Sequence, residues 1–391
     1  MNVPPSRVPV LEWAGVSARR LERSSLAVPG TATGPADVVA RLCGAHAQVL
    51  SAAELSVGLR LSDITRDGVR DALWRDRTLV KTYGPRGTVH LLPTQDLPMW
   101  TGALSALPAS AGNGRGGVDL LSPQQTEEVI AAIADALHDA ELSADDLTEA
   151  IVERTGPWAA DPVMEAFQGK WPCWRTAMDL AANRGALCFA PNQGRKAAYT
   201  SPHRWLPGFT PTEGNAALAA LVKSYLYAYG PATPQHFARW LAAPRRWASE
   251  LFASLGEEIQ QVELAGERAW VVAGDTEVPA EPARGLVLLP YFDAYLIGCQ
   301  PRELLFPGAA AGRALAAGQA GNFPVLLVDG QAAGVWHQRR AGKKLFVTVE
   351  EITPLTAVQR KELDAQVERV GEILQGRTEL TLGKVAVGPH A

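Results

Sequence analysis

The apolar positions between residues 35 and 101 predict three helices followed by a hairpin. The segment PADVVARLCGAHAQ has Pro35 in its first turn, and AAELSVGLRL follows a Ser51-x-x-Glu54 pattern that predicts a capping box. A third helix is predicted over ITRDGVRDALWRDR, after Asp63. TLVKTYGPRGTVHLLP then has two apolar runs around a Gly-Pro-Arg-Gly tip, which is typical of a β-hairpin. This order of elements is that of a winged helix-turn-helix unit.

The same order of elements returns twice without detectable sequence repetition. In the second pass, Ser122 and Ser143 open two helices, a third is predicted over 172–184, and ALCFAPNQGRKAAYTS predicts a strand pair. In the third pass, NAALAALVKSYLYAY, PQHFARWL and RRWASELFASL read as helices, and EIQQVELAGERAWVVAG as two strands. We therefore predict three tandem winged-helix units.

A Pro-rich break over 275–286 separates these units from a C-terminal region in which short apolar runs predominate. LVLLP, FPVLLVDG, GVWHQ, KLFVTV and TELTLGKV predict short strands, and a long helix is predicted after Pro354. The fold class is therefore α+β, with a β-rich or barrel-like C-terminal module. The first thirty residues and 102–118 are predicted to be linker or cap segments. The predicted boundaries are 1–34 for an N-terminal segment, 35–101, 119–206 and 213–274 for the winged-helix units, and 286–391 for the C-terminal module.

Composition is that of a folded protein without a membrane span. The chain has 391 residues, of which 47% are hydrophobic and 20% charged, and it contains no run of about 18 apolar residues. The N-terminal stretch lacks the apolar core of a secretion signal. We therefore expect a cytoplasmic protein whose cysteines are reduced and mostly buried. These cysteines are Cys43, Cys173, Cys188 and Cys299.

Basic residues are concentrated on the predicted hairpins, although the net charge is −4. Arg or Lys next to Gly at a wing tip is well shaped to approach a phosphate or to enter a minor groove. The alternative is that these side chains only keep the turns soluble. The candidate DNA-binding residues are Arg86, Arg195, Lys196, Arg339, Arg340, Lys343 and Lys344.

His46 and Gln48 are the candidate catalytic residues. If the first helix ends before Ser51, residues 46–50 contain an extended turn, in which positions i and i+2 point the same way. Imidazole can exchange a proton near neutral pH, and a carboxamide can orient a water molecule without ionising. The pair therefore suits the positioning of one nucleophilic water. The alternative is that His46 bonds a backbone carbonyl and Gln48 caps the helix end.

Three further residues are candidates for a cleft. Trp174 and Arg175 would place an aromatic ring and a cation on a recognition helix, although tryptophan is more often a core residue. Asp293, in LLPYFDAYLIG, lies at a predicted strand end, where a carboxylate serves a cleft or caps a turn. The chain has no HExxH, Walker A, GxSxG or strand-linked GxGxxG motif, so neither a metal nor a cofactor is implied.

These motifs resemble those of the bacterial winged-helix DNA glycosylases of the AlkZ/YcaQ type. The resemblance rests on HAQVLSAAEL and LVKTYGPRGTVHLLP in the first unit, YGPATPQHFARWL in the third, and LLPYFDAYLIG and PVLLVDGQAAGVW in the C-terminal module. It implies a C-shaped clamp around DNA and a monofunctional enzyme that excises alkylated purines, including bulky N7-guanine adducts of genotoxic natural products. Some members of the family protect the producer of such a compound.

The resemblance also places the family's catalytic motif on this chain. That motif is Gln, an apolar residue, then Gln or Asp, and it falls on His46-Ala47-Gln48. Gln48 matches, whereas His46 departs from the commonest pattern. Gln48 would orient the water, His46 would accept its proton, and the hairpin around 339–344 would probe the minor groove from an open cleft. The expected partner is double-stranded DNA with alkylated purines, bound by a monomer. The alternatives are a transcription regulator and a catalytically silent damage sensor.

Overall fold

The computed structural model describes residues 8–111, 120–165 and 169–389, so residues 112–118 of the predicted linker lie outside it. Its α-helices are α1 (Trp13–Arg23), α2 (Pro35–Arg41), α3 (Leu50–Gly58), α4 (Arg66–Trp74), α5 (Leu97–Ser105), α6 (Pro123–Leu137), α7 (Ala144–Thr155), α8 (Met178–Asn183), α9 (Gly214–Tyr229), α10 (Pro234–Leu241), α11 (Arg245–Ser254), α12 (Ala294–Gly298), α13 (Arg302–Leu305), α14 (Ala309–Ala314) and α15 (Ala357–Leu374). Its strands are β1 (Val10–Leu11), β2 (Ala45–His46), β3 (Leu79–Tyr83), β4 (Val89–Pro93), β5 (Leu142–Ser143), β6 (Pro162–Glu165), β7 (Lys170–Pro172), β8 (Cys188–Gln193), β9 (Lys196–Thr200), β10 (Ile259–Leu264), β11 (Glu267–Val272), β12 (Leu286–Leu289), β13 (Val325–Val328), β14 (Gln331–Ala341), β15 (Lys344–Glu351) and β16 (Arg377–Leu382).

The chain divides into two compact units, each built from separate stretches of sequence. The first unit contains Met1–Arg70, Val222–Trp240 and Arg245–Ala391, and the second contains Asp71–Leu221 and Leu241–Pro244. A three-stranded sheet, β1-β10-β11, and a five-stranded sheet, β12-β13-β14-β15-β16, belong to the first unit. The second unit contains the β3–β4 hairpin, the sheet β5-β9-β8 and the hairpin β6–β7. The α+β class is thus confirmed.

No helix in the described ranges combines the length and the apolarity needed to cross a membrane.

The predicted order of elements is present in all three passes. Ser122 opens α6 as predicted and forms a capping box with Gln125, and the Ser143 side chain accepts a hydrogen bond from the backbone N–H of Asp146. The helix predicted over 172–184 is shorter than expected, because β7 occupies Lys170–Pro172 and a 3₁₀ turn precedes α8. All four cysteines are buried, as predicted.

The C-terminal module is an open sheet covered by a helix, so the barrel-like prediction is wrong. Strands β12 to β15 pair antiparallel, whereas β16 pairs parallel to β15 and reaches it through α15. A parallel pair needs such a crossover, and the crossover helix packs on one face of the sheet. Within the described residues, β12 and β16 form the two edges.

Helix α3 also packs into the core of this module. Leu55 of α3 and Leu59, which follows the helix, share one buried cluster with Trp336 and with the apolar face of α15. Gly58 lies so close to α15 that a Cβ atom added there would stand 2.6 Å from Ile373. Helix α3 begins directly after Gln48, so the packing of α3 fixes where the candidate catalytic segment leaves the core.

The N-terminal segment is an integral part of the first unit, which corrects its prediction as a linker or cap. Helix α1 carries Arg20, whose side chain is buried. Its guanidinium donates hydrogen bonds to the carbonyl oxygens of Pro231, at 3.1 Å, and Gln300, at 2.7 Å. A buried charge needs such partners because leaving it unpaired is costly.

A fully buried ion pair joins Arg60, two residues after the end of α3, to Asp293, the N-cap of α12. The side chains of Arg60 and Asp293 have no solvent exposure, and their two N–O contacts are 2.8 and 3.0 Å long. The Ser56 hydroxyl donates to the same carboxylate at 2.7 Å, and the backbone N–H of Tyr295 donates to it at 3.0 Å. We call these four residues the Asp293 clamp.

Removing the charge of Asp293 should strongly destabilise the protein. In Asp293→Asn the Arg60 guanidinium stays buried without a counter-charge, and breaking such a pair typically costs about 3–5 kcal/mol of the free energy of unfolding. Urea denaturation measures this loss. Glu250→Gln is the matched control, because it removes the exposed i,i+4 pair with Arg246 and should change stability little. Equal effects of the two substitutions would contradict the structural importance of the clamp.

The buried imidazole of His236 should make stability fall in acid. Burial and the nearby Arg20, Arg239 and Arg302 lower the pKa of His236 to about 4, from 6.5. Its Nδ1 accepts the Thr233 backbone N–H at 3.2 Å, which a protonated Nδ1 cannot do. Because the folded pKa is the lower one, the stabilisation is present above pH 6.5 and is lost as the pH falls towards 4.

The loss is on the order of 3 kcal/mol, at about 1.4 kcal/mol per pKa unit. His236→Asn keeps an acceptor near the Nδ1 position but cannot titrate, so its unfolding free energy should fall less than that of the wild type between pH 7 and pH 4. Urea denaturation at several pH values measures the difference, with His138→Asn as the control at an exposed histidine. Parallel pH profiles for the wild type and His236→Asn would refute this origin of acid sensitivity.

Candidate functional site

The candidate catalytic pair lies on an extended segment between two helices. Helix α2 ends at Arg41, and left-handed backbone at Cys43 (φ +51°) and Gly44 (φ +92°) reverses the chain into β2. Strand β2 ends at His46, a bend occupies Gln48 and Val49, and Val49 has φ −109° and ψ 98° as the N-cap of α3. Side chains two residues apart on an extended segment point to the same side. The chain between α2 and α3 is non-helical, as cooperation between His46 and Gln48 requires, and the strand itself ends at His46.

The capping box predicted at Ser51 is wrong, although the helix is present. Helix α3 begins at Leu50, its N-cap is Val49, and no side chain caps it. Glu54, the expected partner of Ser51, instead has a fully buried side chain that pairs with Arg66 at 3.1 Å and Arg70 at 2.6 Å. Two guanidinium groups stabilise a buried carboxylate far better than one backbone N–H does, which accounts for the difference.

The two members of the pair differ in accessibility. Gln48 is exposed, whereas only 8% of the surface of His46 is accessible. The imidazole packs on the ring of Phe292, with centroids 4.5 Å apart and planes inclined by 33°. His46 is thus held by an aromatic neighbour while Gln48 faces solvent.

Phe292 has an unusual backbone for a bulky residue. Its φ is +56°, in the left-handed region, which costs a residue other than glycine on the order of 1–3 kcal/mol. The backbone N–H of Phe292 donates to the carbonyl of Gly321 at 2.9 Å. Gly321 itself has φ +102°, and a Cβ atom there would stand 3.2 Å from the Phe292 ring. The surrounding structure therefore imposes this conformation.

The aromatic neighbourhood of His46 continues through Tyr291 to strand β14. The Tyr291 and Phe292 ring centroids are 6.3 Å apart, and the Tyr291 hydroxyl lies 3.5 Å from Nδ1 of His337. Burial raises the pKa of Tyr291 and lowers the pKa of His337, so both groups are neutral at pH 7. His337 and Arg339 share one face of β14, because side chains alternate along a strand. The candidate pair and the C-terminal basic hairpin are thus linked by half-buried side chains.

The basic residues of the β14–β15 hairpin have different environments. The Arg339 guanidinium lies over the ring of Phe346 at 4.7 Å, and Arg340 donates to the carbonyls of Gly342 and Leu374. Lys344 pairs with Glu379 at 2.6 Å. Lys343 is exposed at the turn and has no acidic partner among the described residues. The four cations therefore belong to one hairpin, but Arg340 and Lys344 already have internal partners.

The other predicted DNA contacts belong to the second unit. Arg86 is half-buried in a short 3₁₀ turn at the tip of the β3–β4 hairpin, with φ +65°. Arg195 is exposed in the turn between β8 and β9 and has no acidic partner in the described ranges. Lys196 pairs with Asp145 at 2.6 Å.

Two of the three predicted cleft residues do not line an open cleft. Trp174 is fully buried, and its indole N–H donates to the Thr148 hydroxyl at 3.0 Å, so it is a core residue. Asp293 is buried in the clamp, where it also caps α12. Arg175 is half-buried and stacks on the exposed ring of Trp171 at 4.4 Å.

Sequence reasoning missed Phe292, which packs on His46, and it missed Tyr291 and His337, which continue this chain of contacts. No local signal marks Phe292, because a positive φ at a bulky residue arises from tertiary packing. Within the described ranges, no cluster of three or more His, Cys, Asp or Glu side chains could hold a metal ion.

Comparison with known proteins identifies the family. The family model described as "DNA glycosylase AlkZ-like" matches residues 39–373. The "Interstrand DNA cross-link repair glycosylase" of Streptomyces sahachiroi is 33% identical over 376 residues, which cover 89% of this chain and 94% of that protein. The solved structure of Streptomyces sahachiroi DNA glycosylase AlkZ superposes with a TM-score of 0.80 and 28% identity, over 96% of this chain and 100% of that one. The chain therefore belongs to the AlkZ-like family of DNA glycosylase enzymes.

Proposed function

We propose that this protein is a monofunctional glycosylase that hydrolyses the N-glycosidic bond of N7-alkylated purines in duplex DNA, with His46 and Gln48 as its catalytic residues. The observation that carries the proposal is the non-helical segment between α2 and α3, with His46 at the end of β2 and Gln48 at an exposed bend two residues later. Membership of a DNA glycosylase family supplies the reaction class.

The reaction needs little acid catalysis because an N7-alkylated guanine is already cationic. The C1′–N9 bond breaks, its electron pair passes to N9, and the base leaves as a neutral purine. A water molecule adds to C1′ of the oxocarbenium-like sugar and gives up one proton. Gln48 orients this water, and the amide oxygen faces the developing positive charge. His46 accepts the proton of the water as a general base.

The unequal exposure of the two residues agrees with these roles. Gln48 must reach the sugar and the water, and it is exposed. His46 needs access to one water only, and its small accessible surface limits competing solvation of the imidazole. That the two groups lie side by side in a solvent-filled hollow is part of the proposal.

DNA contacts are assigned to the hairpins. Residues 35–101, 119–206 and 213–274 act as winged-helix units, and 286–391 as the C-terminal module of a C-shaped clamp. Arg339 and Lys343 contact the backbone or minor groove next to the catalytic pair. Arg195, Lys196 and Arg86 contribute further contacts to phosphate, and Arg340 and Lys344 stabilise the β14–β15 hairpin through their internal partners.

The substrate class follows from the same chemistry. We propose a bulky N7-alkylguanine adduct of a genotoxic natural product, with a role in repair or self-resistance. The name of the Streptomyces relative, an interstrand cross-link repair glycosylase, supports a large adduct. The monomeric state and the cytoplasmic location stay predictions.

Loss of either catalytic side chain should slow excision without weakening DNA binding. His46→Ala removes the general base, which is typically worth about 10²–10⁴-fold in rate. Gln48→Ala removes the water-orienting amide and should also lower the rate. Single-turnover assays on a duplex with one N7-methylguanine measure released base and abasic sites, and fluorescence anisotropy measures affinity.

The control for these substitutions is His138→Ala, at an exposed histidine outside the segment. Wild-type excision by both His46→Ala and Gln48→Ala would exclude the proposed site. Binding of the lesion by the wild-type protein without any release of base would instead indicate a damage sensor.

Charge reversal on the β14–β15 hairpin should weaken binding to all DNA sequences. Arg339→Glu and Lys343→Glu, made separately, remove cations that hold no backbone carbonyl or carboxylate among the residues that the structure describes. Each lost phosphate contact should reduce the slope of log affinity against log salt by about 0.9. Lys361→Glu, an equal charge change at an exposed position of α15, is the control. Salt dependence identical to that of the control would place the DNA elsewhere.

A further inference from the structure

The packing of Phe292 on His46 belongs to a closed circuit of contacts. The ring of Phe292 lies 4.5 Å from the imidazole, and the next residue, Asp293, is the centre of the clamp. The clamp binds Ser56 and Arg60, which lie in and just beyond the last turn of α3. The first turn of that helix follows Gln48 directly. The contacts therefore form a closed circuit. The chain leads from His46 into α3, the clamp joins the end of α3 to Asp293, and the adjacent Phe292 packs back on the His46 imidazole.

This circuit has the properties of a positioning device. The imidazole is restrained by a flat aromatic face, and a tilted aromatic pair restricts rotation of either ring. The aromatic face is restrained in turn, because Phe292 is held in left-handed backbone by its hydrogen bond to Gly321 and by the clamp. Backbone strain of this kind is concentrated at functional sites, where it fixes geometry before the reaction.

We propose that Phe292 is the positioning residue that sets the plane of the His46 imidazole relative to the Gln48 side chain, and that the Asp293 clamp holds Phe292 in place. The inference rests on the proposed catalytic role of His46. It assigns to Asp293 an indirect role, through Phe292, in place of the cleft role expected from sequence.

The alternative is that Phe292 only fills space, and the experiment must separate the two roles. Phe292→Leu keeps an apolar side chain of similar size but removes the flat ring. Phe292→Tyr keeps the ring and serves as the rescue variant. Phe252→Leu is the matched control, because Phe252 is a buried aromatic of the same unit that packs on Phe237 and Trp270.

Two measurements are needed on each full-length variant. Single-turnover excision at saturating enzyme, on a duplex with one N7-methylguanine, gives the rate of the chemical step, and anisotropy gives the affinity. NMR of protein with ¹³C-labelled histidine gives the ring C–H signals of the seven histidines. The signal that disappears in His46→Ala identifies His46, and its ring-current shift reports the contact with Phe292.

A positioning role predicts a specific pattern. Phe292→Leu should lower the saturated rate by about 10²-fold, the cost of a small misplacement of a reacting group, with unchanged affinity. It should also move the His46 signal and leave the other histidine signals in place. Phe292→Tyr should restore both the rate and the signal, and Phe252→Leu should alter neither.

Several results would overturn the proposal. These are a wild-type rate in Phe292→Leu, a lowered rate without movement of the His46 signal, or the same loss in Phe252→Leu. If Phe292→Leu fails to unfold cooperatively, Ser56→Ala loosens the clamp by one hydrogen bond and should produce a smaller change of the same kind. If only this inference is wrong, His46→Ala still has a lowered excision rate. A wild-type excision rate in His46→Ala would contradict the proposed function as well.

Discussion

Arg60 and Asp293 carry opposite charges at a place from which solvent is completely excluded. Desolvation of two ions is costly, and only good geometry with further hydrogen bonds offsets that cost. Ser56 and the backbone N–H of Tyr295 supply these additional bonds. The contact joins residues 233 positions apart in the chain, and it connects the end of helix α3, which follows the candidate catalytic segment, to the loop that carries Phe292. The geometry around His46 depends on this connection.

The site is assembled from three distant parts of the first unit. The segment with His46 and Gln48 provides the proposed reactive groups, the loop before α12 provides aromatic rings, and strand β14 provides His337 and, two residues later, Arg339. Because side chains alternate along a strand, His337 beside the aromatic rings and Arg339 of the basic hairpin lie on the same face of β14. The proposed catalytic pair and the basic hairpin thus belong to one compact unit, and a rigid scaffold is the condition for holding a reacting group accurately.

An acidic protein that acts on DNA needs exposed cations at the positions that contact phosphate. Several of the predicted contacts are neutralised internally, as in the pairs Lys196–Asp145 and Lys344–Glu379. Arg195 and Lys343 are exposed at the tips of their hairpins without an acidic partner among the described residues. Attraction to phosphate is a local effect at physiological salt, where the Debye length is about 8 Å. A net charge of −4 is therefore compatible with a small number of well-placed cations.

The sequence by itself determined the features that depend on residues close together in the chain. Hydrophobic periodicity, the N-caps at Ser122 and Ser143 and the hairpin turns predicted the order of elements. The non-helical turn before α3 is also present, although the capping box at Ser51 from which it was inferred is not formed. Tertiary structure alone decided the rest: the open C-terminal sheet, the pairing of Glu54 with arginines, and the burial of Trp174. It also decided the clamp at Asp293 and the contact of Phe292 with His46. These features arise from desolvation and packing between residues far apart in the chain, and local sequence patterns do not contain that information.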